Sequence, residues 1–132
     1  MRHVLPSILL LPLWFPLPGC AGPETAMAPA PFVHVVFFKT KGESPDKAAA
    51  EIVKDIDSML ASLPTVKAIR VGRPAPTATR PVVDANYDVG LFLLFEDQKG
   101  LQEYLDHPRH VEFAKKHDTV CDVRVFDFTP KP

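Results

Sequence analysis

The stretch FVHVVFFK, residues 32–39, is apolar on both of the faces that a β-strand would present. Alternate side chains of a strand point to opposite sides of its sheet. One face would carry Val33, Val35 and Phe37, and the other would carry His34, Val36 and Phe38. Because neither face is polar throughout, we expect this strand to be covered on both sides.

The segments that follow predict an α+β fold. Ser44 and Pro45 are typical of a helix start, with a capping hydroxyl before a proline in the first turn, and Pro64 ends the helical apolar pattern. A second helix begins at Asp97, and three further strands are predicted over residues 66–73, 87–96 and 120–128. The order β-α-β-β-α-β is the ferredoxin-like pattern, an antiparallel four-stranded sheet with two helices on one face.

The two helices leave the second face of this sheet uncovered. An apolar face of that extent is rarely left in water on a monomer. We therefore expect two copies to pack sheet to sheet as a homodimeric α/β barrel that encloses a space between the sheets. The barrel domain would span residues 32–128, followed by a short tail at 129–132.

The N-terminus has a different character. Residues 1–19 combine Arg2 with a short, proline-interrupted apolar segment, which is typical of an export signal. The segment leads into Cys20 through the sequence LPGC, which resembles the lipobox of bacterial lipoproteins. That resemblance implies a lipoprotein signal peptide over 1–19, an acylated Cys20, and a lipid anchor on the exported side of a bacterial membrane. Residues 20–31, rich in Ala and Pro, would form an extended tether.

Charge and cysteine content exclude some classes of function. The formal net charge of −1 and the lack of a Lys/Arg run argue against nucleic acid as a partner. Cys121 is the only cysteine besides Cys20, and we expect it to be a buried residue of the last strand. The long segment PAPTATRPVVDAN, residues 74–86, separates two strands and is a candidate lid or rim loop.

The stretch EYLDHPRHVEF, residues 103–113, concentrates groups that hold or move protons. Pro108 moves His107 out of helical geometry, which favours a structural role for both residues at a helix junction. His110 falls in the first turn of the new helix, where the positive helix end favours a neutral imidazole. His110 is either a general base or a structural histidine on this pattern.

Two further side chains are candidates for the same site. Tyr104 lies one turn before His107, where its hydroxyl could stabilise a developing enolate or simply be a satisfied core group. His34 needs a polar partner or a wet cavity within its apolar strand, so it is a candidate pocket residue. The histidines at 107, 110 and 117 and Glu112 match no standard zinc spacing, and no metal site is predicted.

Five stretches in this order carry a resemblance to a known family: HVVFFK, LPTVKAIRVG, YDVGLFLLFED, LQEYLDHPRHVEF and VFDF. Together they resemble the stress-responsive dimeric α/β-barrel (Dabb) family across residues 32–128. One branch, a plant polyketide cyclase, uses the Tyr and second His of the motif, which implies catalytic roles for Tyr104 and His110. The branch also has a histidine matching His34 near its pocket. It carries another histidine where this chain has Asp88, which implies a different substrate. Related enzymes work without a cofactor, so none is expected.

Three functions follow from this pattern. The chain could be a membrane-tethered dimer that binds a small, largely apolar ligand in the barrel pocket. It could be a cofactor-independent cyclase, lyase or monooxygenase that acts on an aromatic or polyketide-like compound by His/Tyr proton transfer. It could also be a non-catalytic interaction module. An enclosed pocket lined by His34, Tyr104 and His110 would favour the first two, and a filled interior would favour the third.

Overall fold

The computed structural model describes residues 31–76 and 80–131, and it has the predicted β-α-β-β-α-β order. The predicted signal peptide, Cys20 and most of the tether lie outside the described residues. The elements are β1 (Phe32–Thr40), α1 (Pro45–Asp55) with a π-helical turn (Ile56–Leu60), β2 (Ala68–Gly72), β3 (Val89–Phe95), α2 (Gln98–Asp106), α3 (Pro108–His117) and β4 (Cys121–Phe128). No helix in the described part is long and apolar enough to span a membrane.

The four strands form one antiparallel sheet in the order β2-β3-β1-β4. This is the ferredoxin-like arrangement, so the predicted fold class is confirmed for the protomer. The register places His34 opposite Leu93 of β3 and opposite Asp127 of β4. The register thereby brings Asp127 of the last strand beside His34 of the first.

The helices pack on one face of the sheet and form the core there. Ile52, Ile56 and Leu60 follow one another along the first helix at spacings of four residues, and each is at most 1% exposed. They pack in one cluster with the inward side chains of β1 and β3, among them Val36 and Leu93. The same alternation places His34 on this helical face rather than on the outer one.

Several boundaries differ from the predictions. Ser44 makes no capping hydrogen bond through its side chain, so only Pro45 contributes to that helix start as expected. The helix ends at Leu60, before Pro64. The first strand runs one residue further than predicted, to Thr40, and the other three observed strands are one to three residues shorter than predicted. The junction predicted at His107 is confirmed: it separates α2 from α3, because Pro108 forces an extended backbone there (φ −66°, ψ 134°).

The opposite side of the sheet, here called the open face, bears no helix in the described part. It carries Val35 and Phe37 of β1, Phe92 of β3, and Phe126 and Phe128 of β4. Phe126 and Phe128 are 53% and 52% exposed. Aromatic area of this kind is characteristic of a surface that another protein covers.

Candidate active site

A cavity of about 240 Å³ lies between the helical face of the sheet and helices α2 and α3. Residues of β1, β3 and β4 form its floor, and residues of α2 and α3 form its roof. Val123 and Val125 of β4 line it and remain 48% and 49% exposed, because the helices do not fully cover this edge strand. The sequence analysis expected an enclosed space between the sheets of two protomers. The cavity instead lies within one protomer, on the helical side of the sheet.

Tyr104, His110 and His34 all line this cavity. The ring of Tyr104 neighbours both imidazoles, with its centroid 4.6 Å from that of His110 and 6.2 Å from that of His34. The α2–α3 break produces this arrangement, because Tyr104 arrives from the last turn of α2 and His110 from the first turn of α3. The three residues singled out in the sequence are thus neighbours in one cavity.

Tyr104 is 2% exposed, and burial raises the pKa of its phenol well above the usual value. Its hydroxyl therefore stays protonated at neutral pH and can act as a hydrogen-bond donor. Among the described residues, none forms a hydrogen bond with this hydroxyl. The satisfied core hydroxyl considered from the sequence is therefore not found.

His110 has a defined protonation pattern. Its Nδ1 lies 3.0 Å from the carbonyl oxygen of Leu105, and a carbonyl can only accept, so Nδ1 carries the hydrogen. Burial lowers the pKa of this imidazole, and nearby His34 lowers it further against the opposing effect of the Leu105 carbonyl. A neutral ring with hydrogen on Nδ1 has its lone pair on Nε2. The sequence analysis attributed the neutral state to the helix end, and the structure identifies burial as a cause that the sequence did not reveal.

Asp127 is a site residue that the sequence analysis missed. His34, 5% exposed, places Nδ1 2.5 Å from Asp127 Oδ1, so the carboxylate orients the imidazole. With Nδ1–H directed at Asp127, Nε2 of His34 is left for other partners. The signal was the lone acidic residue within VFDF, but its relation to His34 depends on the β1–β4 register.

The Tyr104 hydroxyl and His110 Nε2 both keep solvent-accessible surface. Thr65 Oγ1 is the only fully buried side-chain oxygen or nitrogen without a hydrogen-bond partner in the described part of the chain. The Tyr104 hydroxyl and His110 Nε2 also have no partner there, so each must retain accessible surface. Since both side chains line the cavity, a ligand inside it can meet a donor and a lone pair together.

His107 and Pro108 lie at the helix junction instead of in the cavity lining. His107 Nδ1 accepts a hydrogen bond of 3.2 Å from the N–H of Arg109, which caps α3. Pro108 occupies the first turn of that helix, where its missing N–H costs nothing. The residues of this motif thus have two roles: His107 and Pro108 form the helix junction, and Tyr104 and His110 line the cavity.

Two other predicted features lie away from the cavity. Asp88 accepts hydrogen bonds of 2.8 Å from both the N–H and the hydroxyl of Thr40, and so secures the end of β1. In the 74–86 loop, Asp84 pairs with Arg124 at 3.1 Å, and Arg124 stacks over Phe37 of the open face. The described residues of this loop do not line the cavity, so they form no lid over it.

Cys121 is buried at the start of β4, as predicted, with its thiol donating to the His117 carbonyl at 3.2 Å. Burial raises the pKa of this thiol, which favours the unreactive protonated form. His117 is also buried and lines the cavity, which the sequence analysis did not anticipate. Within residues 31–76 and 80–131, no group of three His, Cys, Asp or Glu side chains is arranged to hold a metal ion.

Comparisons with known proteins agree with this fold. The family model described as the stress responsive A/B barrel domain matches residues 32–130. Olivetolic acid cyclase of Cannabis sativa is 24% identical over 99 residues, covering 74% of this chain and 95% of the cyclase. A Dabb-family structure with a ferredoxin-like fold from Mesorhizobium loti is 25% identical, with a TM-score of 0.63, covering 78% of this chain and 99% of that one. A dimeric ferredoxin-like protein of unknown function from Thermobifida fusca is 18% identical, with a TM-score of 0.61, covering 76% and 92%.

Proposed function

Because the chain belongs to the stress responsive A/B barrel domain family, we propose that its cavity binds a small, largely apolar carbonyl compound and that His110 and Tyr104 move a proton on it. The observation that carries this proposal is the pairing of a neutral His110 with Tyr104, since His110 Nε2 and the Tyr104 hydroxyl have no hydrogen-bond partner among the described residues. Their rings lie 4.6 Å apart in a cavity with an otherwise mainly apolar lining. The likeness to a cyclase supports an enzymatic use of this pair.

The proposed step is abstraction of an acidic C–H proton next to a carbonyl group. The C–H bond breaks, His110 Nε2 takes the proton, and the electron pair moves onto the carbonyl oxygen as an enolate. The Tyr104 hydroxyl donates a hydrogen bond to that oxygen and keeps its own proton. The imidazolium then returns its proton to the product, so the cycle needs no cofactor.

His34 and Asp127 have supporting positions in this scheme. The Asp127 carboxylate fixes the His34 ring, whose centroid lies 6.2 Å from that of Tyr104. His34 is thus a pocket residue that offers Nε2 to a polar group of the ligand. Asp88 accepts a hydrogen bond from Thr40 and does not line the cavity, so it adds no polar group to the binding site. The substrate therefore differs from that of the cyclase branch, which has a histidine at the position of Asp88.

Binding without catalysis is the second candidate. The specific observation in its favour is that apolar side chains such as Phe38, Leu91 and Phe113 dominate the cavity lining, which would suit a ligand that is only held. The third candidate, a non-catalytic interaction module, has less support. A filled interior would have favoured it, whereas the protomer contains a cavity.

The test uses phenylacetone, an aromatic ketone with moderately acidic C–H bonds, in D₂O. Proton NMR follows the loss of its benzylic signal as deuterium enters. We expect the protein to accelerate exchange, and His110→Gln or Tyr104→Phe to reduce the rate by roughly a hundredfold or more. The control His107→Asn keeps a helix-capping side chain outside the cavity and should exchange as the unaltered protein does.

Two outcomes separate the candidates. Exchange at the buffer rate, together with saturable binding of phenylacetone to the cavity, would contradict catalysis and favour the binding function. Exchange that survives both cavity substitutions would place the reaction elsewhere in the molecule.

The proposal extends to the assembly and location of the protein. The open face, with Phe126 and Phe128 about half exposed, suits a second copy of the chain, as in the dimeric Thermobifida fusca relative of the same fold. The LPGC sequence suits acylation at Cys20 and a tether to a membrane. A ligand cavity held near a bilayer would meet apolar compounds at high local concentration.

A further inference from the structure

The far end of the cavity carries a second imidazole. His117, the last residue of α3, lines the cavity and is only 4% exposed. Its Nε2 lies 2.9 Å from Asp55 Oδ2, at the C-terminal end of α1. The proton-transfer scheme above makes no use of this group.

The pairing with Asp55 fixes which nitrogen of His117 is free. Lys116 Nζ also lies 2.7 Å from Asp55 Oδ2. Burial acts to raise the pKa of the Asp55 carboxyl, but hydrogen bonds from Lys116 and His117 outweigh it, so the pKa is lowered and the group is a carboxylate at neutral pH. A carboxylate only accepts, so His117 Nε2 carries hydrogen and donates.

In the neutral ring the lone pair is then on Nδ1. No described residue forms a hydrogen bond with His117 Nδ1. Thr65 Oγ1 is the only fully buried side-chain polar atom without a partner in the described ranges, so His117 Nδ1 must keep accessible surface. Since the side chain is buried and borders the cavity, we take that surface to face the cavity.

The two polar ends of the cavity are well separated. His110 and His117 are seven positions apart on one helix, which corresponds to about 10 Å along the helix axis. The lining between them is apolar, with Phe113 and Ala114 above and Val123 below. Asp118 also borders the His117 end, and together with Asp55 it disfavours an anionic group there.

We propose that His117 is a second ligand-binding residue, which accepts a hydrogen bond from a hydroxyl at the far end of an elongated ligand. This inference rests on the proposed function, because it defines the substrate class of the same cavity. The substrate would carry a carbonyl or phenolic group at the Tyr104–His110 end. It would carry an apolar middle and an uncharged hydroxyl roughly 10 Å away, to match the spacing along the helix.

The competing explanation is structural. The Asp55–His117 pair joins α1 to α3, and that role alone would account for its burial. A change in stability cannot distinguish the two explanations. A change in preference between two matched ligands can, because a purely structural histidine has no contact with either ligand.

The probes are 4-(3-hydroxypropyl)phenol and 4-butylphenol, which differ by a terminal hydroxyl in place of a methyl group. Their dissociation constants are measured for the unaltered protein and for His117→Phe. The ratio of the two constants should shift roughly tenfold against the hydroxyl compound in the variant, as expected for one lost hydrogen bond. Lys116→Ala, which weakens the Asp55 network but keeps the imidazole, should preserve the original ratio.

A second measurement covers the case in which His117→Phe does not fold. In the unaltered protein labelled with ¹⁵N-histidine, the hydroxyl compound should shift the His117 Nδ1 resonance and 4-butylphenol should not. An unchanged affinity ratio, or equal shifts with the two phenols, would overturn the inference while leaving the proposed cavity intact. If neither phenol bound to the folded protein, this inference would fail, whereas the proposed function would still stand or fall on the exchange of phenylacetone.

Discussion

His110 shows how far residue-level reasoning extends. Its neutral state was predicted from its sequence position after Pro108, and the structure adds a further cause, because burial lowers the pKa of the imidazole. The side of the ring that is free could not be predicted, since it depends on a contact with the Leu105 carbonyl across the helix break. Local sequence thus identifies the group, and tertiary packing sets its tautomer.

The lowered pKa of His110 predicts a pH dependence of stability. The unfolded chain binds a proton at this residue near its ordinary pKa of 6.5, and the folded protein binds it only at lower pH. Between these values the unfolded state holds more protons, so the free energy of unfolding falls as pH falls below about 6.5. Urea unfolding at pH 7.5 and 5.5 should show a smaller loss in His110→Gln than in the unaltered protein. Equal losses in the two proteins would contradict the burial of this imidazole.

The elements were predictable in kind because their signals are local. Apolar alternation, helical spacing and Pro108 gave the element order and the junction between α2 and α3. The partners of the cavity histidines were not predictable, because Asp127 lies 93 residues from His34 and Asp55 lies 62 residues from His117. Such pairs depend on strand register and on helix packing, and neither is encoded in residue spacing.

The junction between α2 and α3 provides a test at the scale of elements. His107→Ala removes the acceptor for the Arg109 N–H and should lower the free energy of unfolding by about 0.5–2 kcal/mol. His107→Asn supplies another capping side chain and should recover most of that loss. Thermal unfolding of the two variants measures the difference. If alanine and asparagine were equivalent, His107 would not act as a cap.

The whole molecule raises the question of what covers the open face. The sheet was expected to enclose a pocket by pairing with its copy, yet the cavity with Tyr104 and His110 lies on the helical side. The location of the cavity depends on which alternate side chains of β1 face the helices. The sequence could not predict which face that is, because the strand is apolar on both sides. The proposed dimer contact and the proposed ligand site therefore lie on opposite faces of one sheet.

The proposed dimer predicts a specific response to charge on the open face. The protein should sediment at twice its chain mass, and Phe126→Asp should convert it to a monomer, because a carboxylate would be buried between the sheets. Val111→Asp introduces the same group on helix α3, at a side chain that is 38% exposed, and should leave the dimer intact. A dimer that withstands Phe126→Asp would place the interface elsewhere.

The proposed anchor is tested in cells. A palmitate analogue should label the bacterially expressed protein, and Cys20→Ala should abolish the label. Cys121→Ala is the matched control, because the thiol of Cys121 is buried and should not be acylated. Equal labelling of the protein with and without Cys20 would remove the lipoprotein interpretation.

The central claim is that a neutral His110 offers Nε2 to a ligand beside the Tyr104 hydroxyl. Nitrogen-15 NMR of the histidine-labelled protein at neutral pH tests it most directly, because ring resonances distinguish protonated from unprotonated nitrogens. We expect that His110 carries hydrogen on Nδ1 and not on Nε2, and that 4-butylphenol shifts the Nε2 resonance in the unaltered protein. An imidazolium, the opposite tautomer, or an Nε2 signal unaffected by bound phenol would contradict it.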